Sequence, residues 1–164
     1  MSAVITTVTP FVIQEVLLQA LEIIGAEPVL ITTENQGQYL HRKTIQSQDI
    51  VTNRSDYYGP QYFRCVNGVW GLLHDSSQMQ IRVTQKQYQD VSAFLSELGG
   101  VYEQQYVLYQ ERLAEQERQR IEAERQARVE ATRLSVIEKA RKQGYSVKEV
   151  SNNGKIQLVL TRSM

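Results

Sequence analysis

The stretch QERLAEQERQRIEAERQARVEATR, residues 110–133, contains six Glu and six Arg but no Lys, Asp, Gly or Pro. Glu precedes Arg by three or four residues at five places, a spacing that brings opposite charges together on a helix surface. Nothing from Val101 to Gln143 would stop a helix, and Gly144 would end it. At about 1.5 Å per residue the helix would be roughly 65 Å long, so we expect it to protrude from a domain of this size. We call residues 110–133 the charged segment.

Two interpretations of the charged segment stay open. Its large apolar residues lie eight apart, whereas a coiled-coil seam recurs at three and four, which argues against a long, tight coiled coil. The segment could be a solvated spacer or a folded-back helical arm. Alternatively, it could dock a protein partner or a second copy of the chain. In the docking interpretation three apolar side chains make the contact and three arginines form its charged rim: Leu113, Ile121, Val129, Arg112, Arg118 and Arg125.

The rest of the chain predicts strands and short helices joined mainly by hairpins. Asn67-Gly68 between two β-rich runs is typical of a two-residue type I′ turn. Thr9-Pro10 indicates the start of a helix that Gly25 ends, and a Thr84–Gln87 capping box starts a second helix that Gly99-Gly100 breaks. The predicted strands are Ala3–Thr9, Pro28–Thr33, Asp49–Asn53, Tyr62–Val66, Val69–His74, Met79–Thr84, Tyr145–Val150 and Lys155–Thr161.

This order of elements predicts an α+β fold with a mostly antiparallel sheet, helices on one face and the long protruding charged helix near the C-terminus. We expect one domain over residues 1–164, with residues 104–133 as a helical insertion or arm within it.

Composition narrows the classes of function. The 18 basic and 18 acidic side chains cancel, so no long-range field draws in nucleic acid or an anionic membrane. The sequence has no apolar run long enough for a membrane span, and its start lacks the features of a signal peptide. With a single cysteine, we expect a cytoplasmic or plastid-stromal protein. The two histidines stand in no metal-binding motif, so we expect no metal or cofactor.

Candidate chemistry is sparse. A two-residue turn would place Cys65 opposite Trp70 and Gln61 opposite His74, which leaves Cys65 and His74 roughly 13 Å apart. That separation is too long for a nucleophile and its base. We therefore expect Cys65 to be buried beside Trp70 as a small hydrophobic residue.

An enzyme or small-ligand site is the alternative function, with weak nucleic-acid binding through the arginines as a further one. Polar and aromatic residues cluster around Gly59-Pro60, and such groups can stack on a ring or a base. The residues that would form this site, at the Tyr-rich edge of the sheet, are Arg54, Tyr57, Tyr58, Cys65 and His74.

The chain also resembles a known family. The stretches KARKQGYSVKEVSNNGKIQLVLTR, residues 139–162, and DIVTNRSDYYGPQYFRCVNGVWGLLHD, residues 49–75, are similar to the hypothetical chloroplast reading frame thirty-five family. The likeness covers most of the chain outside roughly residues 104–131, so the charged segment looks like an insertion into the family's last helix. The resemblance implies a cyanobacterial or plastid-type setting and a partner in a multiprotein system, and it brings no active site with it. The leading hypothesis is thus a non-enzymatic adaptor or assembly module that docks through the charged segment.

Overall fold

The computed structural model describes residues 3–39, 44–56, 59–76, 82–83, 90–152 and 155–162. Contacts within the chain group into two units, Met1–Glu111 and Arg112–Met164. Both combine helix with antiparallel strands, so the predicted α+β class is confirmed. The single domain and the helical insertion stay predictions.

The described elements follow the chain in this order: β1 (Val4–Val8), α1 (Gln14–Ile23), β2 (Val29–Leu30), a 3-10 turn (Gln36–Tyr39), β3 (Ile50–Asp56), β4 (Gly59–Val66), β5 (Val69–Asp75), β6 (Arg82–Val83), α2 (Val91–Lys142), β7 (Tyr145–Asn152) and β8 (Lys155–Arg162). The predicted strands are all present, although β2 and β6 are shorter than expected. Residues 79–81 and 84 of the last strand before α2 lie outside the described residues.

The first unit is built on one antiparallel sheet with the order β1-β5-β4-β3-β2, and β6 pairs with β3. Its central hairpin joins β4 and β5 with Cys65 opposite Trp70 and Val66 opposite Val69, as predicted. Asn67 and Gly68 both have positive φ, 54° and 80°, which a type I′ turn requires.

Helices cover one face of this sheet. The main core unites α1, the inward residues of β3, β4 and β5, and the first turns of α2, with Leu17, Phe63 and Phe94 among the buried side chains. A smaller cluster, which includes Ile31, Val51 and Tyr62, forms a second core. Side chains of this size each stabilise a fold by about 1.5–3 kcal/mol when fully buried, so these clusters hold the first unit together.

The predicted start of α1 at Pro10 is wrong. The helix begins only at Gln14: the N-cap residue Ile13 is extended, with φ −100° and ψ 114°, and makes no side-chain capping hydrogen bond. The Tyr102 hydroxyl of α2 accepts hydrogen bonds from the backbone amides of Val12 and Ile13, both at 3.0 Å. Within the described residues the Thr9 hydroxyl accepts only the Phe11 amide, at 3.3 Å, so a residue about 90 positions away satisfies the two amides that follow.

The predicted break at Gly99-Gly100 is also wrong, because α2 runs without interruption through both glycines. Buried Leu98 and Tyr102 flank the pair and hold the helix against the core, so packing outweighs the weak helix propensity of glycine. The helix begins after Asp90, whose carboxylate accepts the Ala93 amide at 2.6 Å. The predicted capping box at residues 84–87 lies outside the described residues.

The second unit contains the C-terminal part of α2 and a hairpin of β7 with β8. The hairpin register pairs Tyr145 with Arg162 and Asn152 with Lys155, and the two strands form a sheet of their own. Arg133 of α2 makes ion pairs with Glu149 of β7 and with Glu130. Two hydrogen bonds raise the pKa of the Arg133 guanidinium, and the bond to Glu149 has a larger effect than the bond to Glu130. Residues 153–154, between the two strands, lie outside the described residues.

Candidate functional site

The charged segment is fully helical and solvent-exposed over most of its length. Its five predicted ion pairs are all present and all lie along the helix: Glu115–Arg118, Glu117–Arg120, Glu122–Arg125, Glu124–Arg128 and Glu130–Arg133. The nitrogen–oxygen distances run from 2.6 Å for Glu117–Arg120 to 3.9 Å for Glu122–Arg125. A hydrogen bond from the guanidinium to Glu117 raises the pKa of Arg120.

Three large apolar side chains stand among these charges. Leu113, Ile121 and Val129 are 45%, 56% and 62% exposed. A helix turns about 100° per residue, so eight residues advance about 80° beyond two full turns. The three side chains therefore follow a line that winds slowly around the helix and do not form a straight seam. The predicted rim residues Arg112, Arg118 and Arg125 are exposed beside them.

A second polar region lies inside the first unit, at the end of the sheet where β3 finishes and β4 begins. Arg54 and His74 are only 3% and 6% exposed, and Gln61 is 1% exposed. The guanidinium carbon of Arg54 lies 3.8 Å from the centroid of the Phe94 ring, a cation–π contact with the first turn of α2. Each of the three sits on a different strand, so the sheet register brings them together.

The imidazole of His74 is held on both sides. Its Nδ1 lies 2.7 Å from the backbone oxygen of Asp75, which can only accept, so Nδ1 carries a hydrogen and donates. Its Nε2 lies 2.7 Å from the hydroxyl of Thr7 on β1. Both ring nitrogens are thus engaged in the fold, as expected for a structural histidine.

Arg54 is a buried cation. Burial lowers its pKa to about 10, while the charges of Glu97 and Asp90 act in the opposite direction. An unfolded chain would hold the Arg54 proton more tightly, so burying the charged form destabilises the folded state at neutral pH. The nearby carboxylates and the Phe94 ring offset part of that cost.

The structure brings together only part of the predicted ligand site. Arg54 and His74 share one end of the sheet, whereas Cys65 lies near the opposite end, beside the hairpin turn. The predicted burial of Cys65 is wrong, because its side chain is exposed. The last residues of the hairpin extend past the core, and neighbouring Val66 is also exposed. Tyr57 and Tyr58 lie outside the described residues.

Gln61 is the residue that sequence reasoning left out of the site. Neither the nitrogen nor the oxygen of its side-chain amide has a hydrogen-bond partner within the described residues. A buried amide without partners destabilises a fold by about 1–3 kcal/mol. Its presence here therefore calls for an explanation, such as a bound ligand. The only sequence signal was its expected position opposite His74 on a strand that otherwise presents apolar residues to the core.

Metal binding, a membrane span and likeness to known proteins were the remaining indications of function. In the part of the chain that the structure describes, no three His, Cys, Asp or Glu side chains form a group that could hold a metal ion. None of the described helices has the length and apolar character that a membrane span requires. The chain matches no known protein family, no curated protein and no solved structure. The resemblance to the chloroplast reading frame thirty-five family therefore stays a prediction.

Proposed function

We propose that this chain is a non-enzymatic protein-interaction module that docks a partner through the charged segment. The observation that supports the proposal is the trio of large apolar side chains, Leu113, Ile121 and Val129, which stay roughly half exposed to solvent among ordered ion pairs. A partner that covered them would remove apolar surface from water, and the flanking charges would set its orientation.

Magnitudes indicate what kind of complex to expect. Taking such a side chain from full exposure to full burial contributes about 1.5–3 kcal/mol. Because these three are already about half covered, docking would gain only about half of that from each. Association itself costs about 4–15 kcal/mol in lost freedom. The three side chains alone would therefore give a weak complex, and complementary charges on the partner must add to the affinity and supply specificity.

The test is affinity capture from extracts of the source organism with three forms of the chain. One is wild type, one carries Leu113→Gln, Ile121→Gln and Val129→Gln, and the third is a matched control. The control introduces the same number of glutamines on the same helix at the exposed alanines Ala114, Ala123 and Ala127. We expect a partner that wild type and control retain and the apolar-to-Gln variant loses. A partner set identical for all three forms would refute the proposal.

A deletion gives an independent check. Removing residues 113–130 takes out 18 residues, which is five complete helical turns. The remaining parts of α2 then keep their rotational phase, and the Arg133–Glu149 ion pair remains possible. We expect this shortened chain to lose the same partner as the apolar-to-Gln variant. Retention of that partner would place the docking surface elsewhere in the molecule.

Gln61 supports a second candidate function, which is binding of a small polar molecule in the interior polar region. Such a ligand would present one hydrogen-bond acceptor and one donor to the amide, close to Arg54 and His74. Native mass spectrometry of the purified protein provides the test. A small molecule bound to wild type and absent from a Gln61→Met variant would support this function, and an unliganded mass for both proteins would count against it.

A further inference from the structure

The order of charges in the charged segment reverses about Ile121. Consider two residues that lie equally far before and after Ile121 in the charged segment. Whenever both are charged, their charges are opposite. The four such pairs are Arg120 and Glu122, Arg118 and Glu124, Glu117 and Arg125, and Arg112 and Glu130. The apolar residues obey the same symmetry, because Leu113 and Val129 each lie eight residues from Ile121.

This symmetry has a direct meaning for two copies of the helix. If two copies lie antiparallel about a two-fold axis at Ile121, each residue before Ile121 is level with the residue equally far after it on the second copy. Every level pair of charges is then of opposite sign, Leu113 is level with Val129, and Ile121 meets itself. The pair that faces the second copy is Glu117 with Arg125, because these two side chains project only about 40° to either side of Ile121. We propose that the partner of the charged segment is a second copy of this chain, bound antiparallel with Ile121 at the two-fold axis; this rests on the proposed docking function.

The charges also disfavour the competing arrangements. In a parallel, in-register pair every residue is level with itself, so Glu meets Glu and Arg meets Arg. Sliding the antiparallel pair by one residue in one direction puts Glu117 level with Glu124, and sliding it in the other puts Arg118 level with Arg125. Repulsion against wrong registers is how helical pairs specify orientation.

Helix geometry is consistent with a compact contact. Residues four apart form a ridge on the helix surface, and the ridge through Ile121 reads Leu113, Glu117, Ile121, Arg125 and Val129. When two such ridges interdigitate, helices cross at about 50°. On an antiparallel second copy this ridge runs beside itself, so Ile121 lies against Ile121 and Glu117 against Arg125 at the centre of the crossing. Leu113 and Val129, each about 80° around the helix from Ile121, lie at its margin. A crossing of this kind does not need the straight seam that the segment lacks.

In the single chain the charged side chains needed for this contact are exposed and are held only by weak ion pairs along the helix. Along the helix Glu117 forms an ion pair with Arg120 at 2.6 Å, and Arg125 forms one with Glu122 at 3.9 Å. The side chains of these pairs are half or more exposed, and exposed pairs contribute little to the stability of a chain. Exchanging them for ion pairs with the second copy therefore loses little.

Sedimentation equilibrium of the full chain tests the proposal with single charge changes. We expect wild type to dimerise with a dissociation constant of about 1–100 µM, and this constant should rise with added salt. Glu117→Arg creates two repulsive contacts with Arg125 across the two-fold axis, so dissociation should become at least about tenfold easier. Arg125→Glu should do the same through Glu117.

A matched control separates contacts between copies from changes within the helix. Glu115→Arg makes the same charge change and also removes an ion pair along the helix, with Arg118. In the proposed dimer, however, residue 115 is level with the uncharged Ala127, so this variant should dimerise like wild type. Circular dichroism of all variants would show that helix content is unchanged.

Mixing the variants gives the decisive outcome. Glu117→Arg and Arg125→Glu chains each repel themselves, but together they restore both attractive contacts, so the mixture should form a heterodimer about as tight as the wild-type dimer. A wild-type chain that stays monomeric up to about 300 µM, or a dimer that Glu117→Arg does not weaken, would overturn the proposal. If the chain is monomeric yet the apolar-to-Gln variant still loses a captured partner, self-association fails while the docking function stands.

Discussion

The sheet of the first unit and the charged segment are stabilised in opposite ways. In the sheet, residues far apart in sequence bury their side chains together, as Phe11, Phe63 and Phe94 do in one aromatic group. In the charged segment the ion pairs join residues three or four positions apart, and the side chains stay in water. The sheet therefore depends on every part of its core at once, whereas the charged segment depends on its own neighbours. Substitutions should consequently have large effects in one region and small effects in the other.

The largest difference should appear between Phe63→Ala and Ile121→Ala. Phe63 is fully buried in the main core, so removing its ring should lower the free energy of unfolding by about 3–5 kcal/mol. Ile121 is more than half exposed, and its truncation should change stability by no more than about 0.5 kcal/mol. Urea unfolding followed by circular dichroism measures both. If the two variants lost comparable stability at low protein concentration, the proposed contrast between a core stabilised by burial and a helix stabilised by its own neighbours would be wrong.

A smaller but still clear effect is expected for Tyr102→Phe. This change removes the hydroxyl that accepts the Val12 and Ile13 amides and leaves the ring in the core. Two backbone donors lose their partner in a partly buried place, so the free energy of unfolding should fall by about 1–3 kcal/mol. Tyr106→Phe is the matched control, because Tyr106 stacks on Tyr102 without those two bonds. Equal losses for the two variants would show that the hydroxyl of Tyr102 is not special.

The contrast between the regions also explains which features the sequence could predict. The β4–β5 register and the ion pairs of α2 depend on residues close together in the chain, and both were predicted correctly. The start of α1 depends on Tyr102, and the continuity of α2 through Gly99-Gly100 depends on packing against the sheet. Those features are determined by distant residues, which spacing and local preference cannot reveal.

The same distinction between local and distant residues explains which candidate sites were predicted. The charged segment was recognised from its sequence because its chemistry is local and solvent-exposed. The exposure of Cys65 was missed because alternation along a strand shows only on which face of the sheet a side chain lies. It does not show whether the helices that cover that face reach as far as the side chain. Gln61 was missed because its unpaired amide is a property of the whole surrounding core, where Arg54 and His74 arrive from other strands.

Replacing Gln61 with Met tests the interior polar region, because the free energy of unfolding can either rise or fall. Met has a similar shape and needs no hydrogen bonds, so in the unliganded protein the change should raise the free energy of unfolding by about 1–2 kcal/mol. Thr52→Val is a useful comparison, because the Thr52 hydroxyl does have a partner, the Gln61 backbone oxygen at 2.9 Å. That variant should be less stable than wild type. A loss of stability for Gln61→Met would instead mean that the Gln61 amide is bonded in solution, which would favour the ligand-binding candidate.

The smallest effect concerns the charged segment itself. Its backbone hydrogen bonds are protected only by the helix and its surface ion pairs, so they should open locally without unfolding the sheet. Hydrogen exchange read by mass spectrometry should therefore find residues 110–133 exchanging much faster than strands β4 and β5. About 1 M salt screens surface charges within a few ångströms, so exchange in the charged segment should become modestly faster while the strands hardly change. Dimerisation adds a second prediction to the same experiment, since covering Ile121 and its neighbours should slow exchange as protein concentration rises. Exchange that stays fast at every concentration would leave the charged segment a solvated helix, stabilised by its own ion pairs alone.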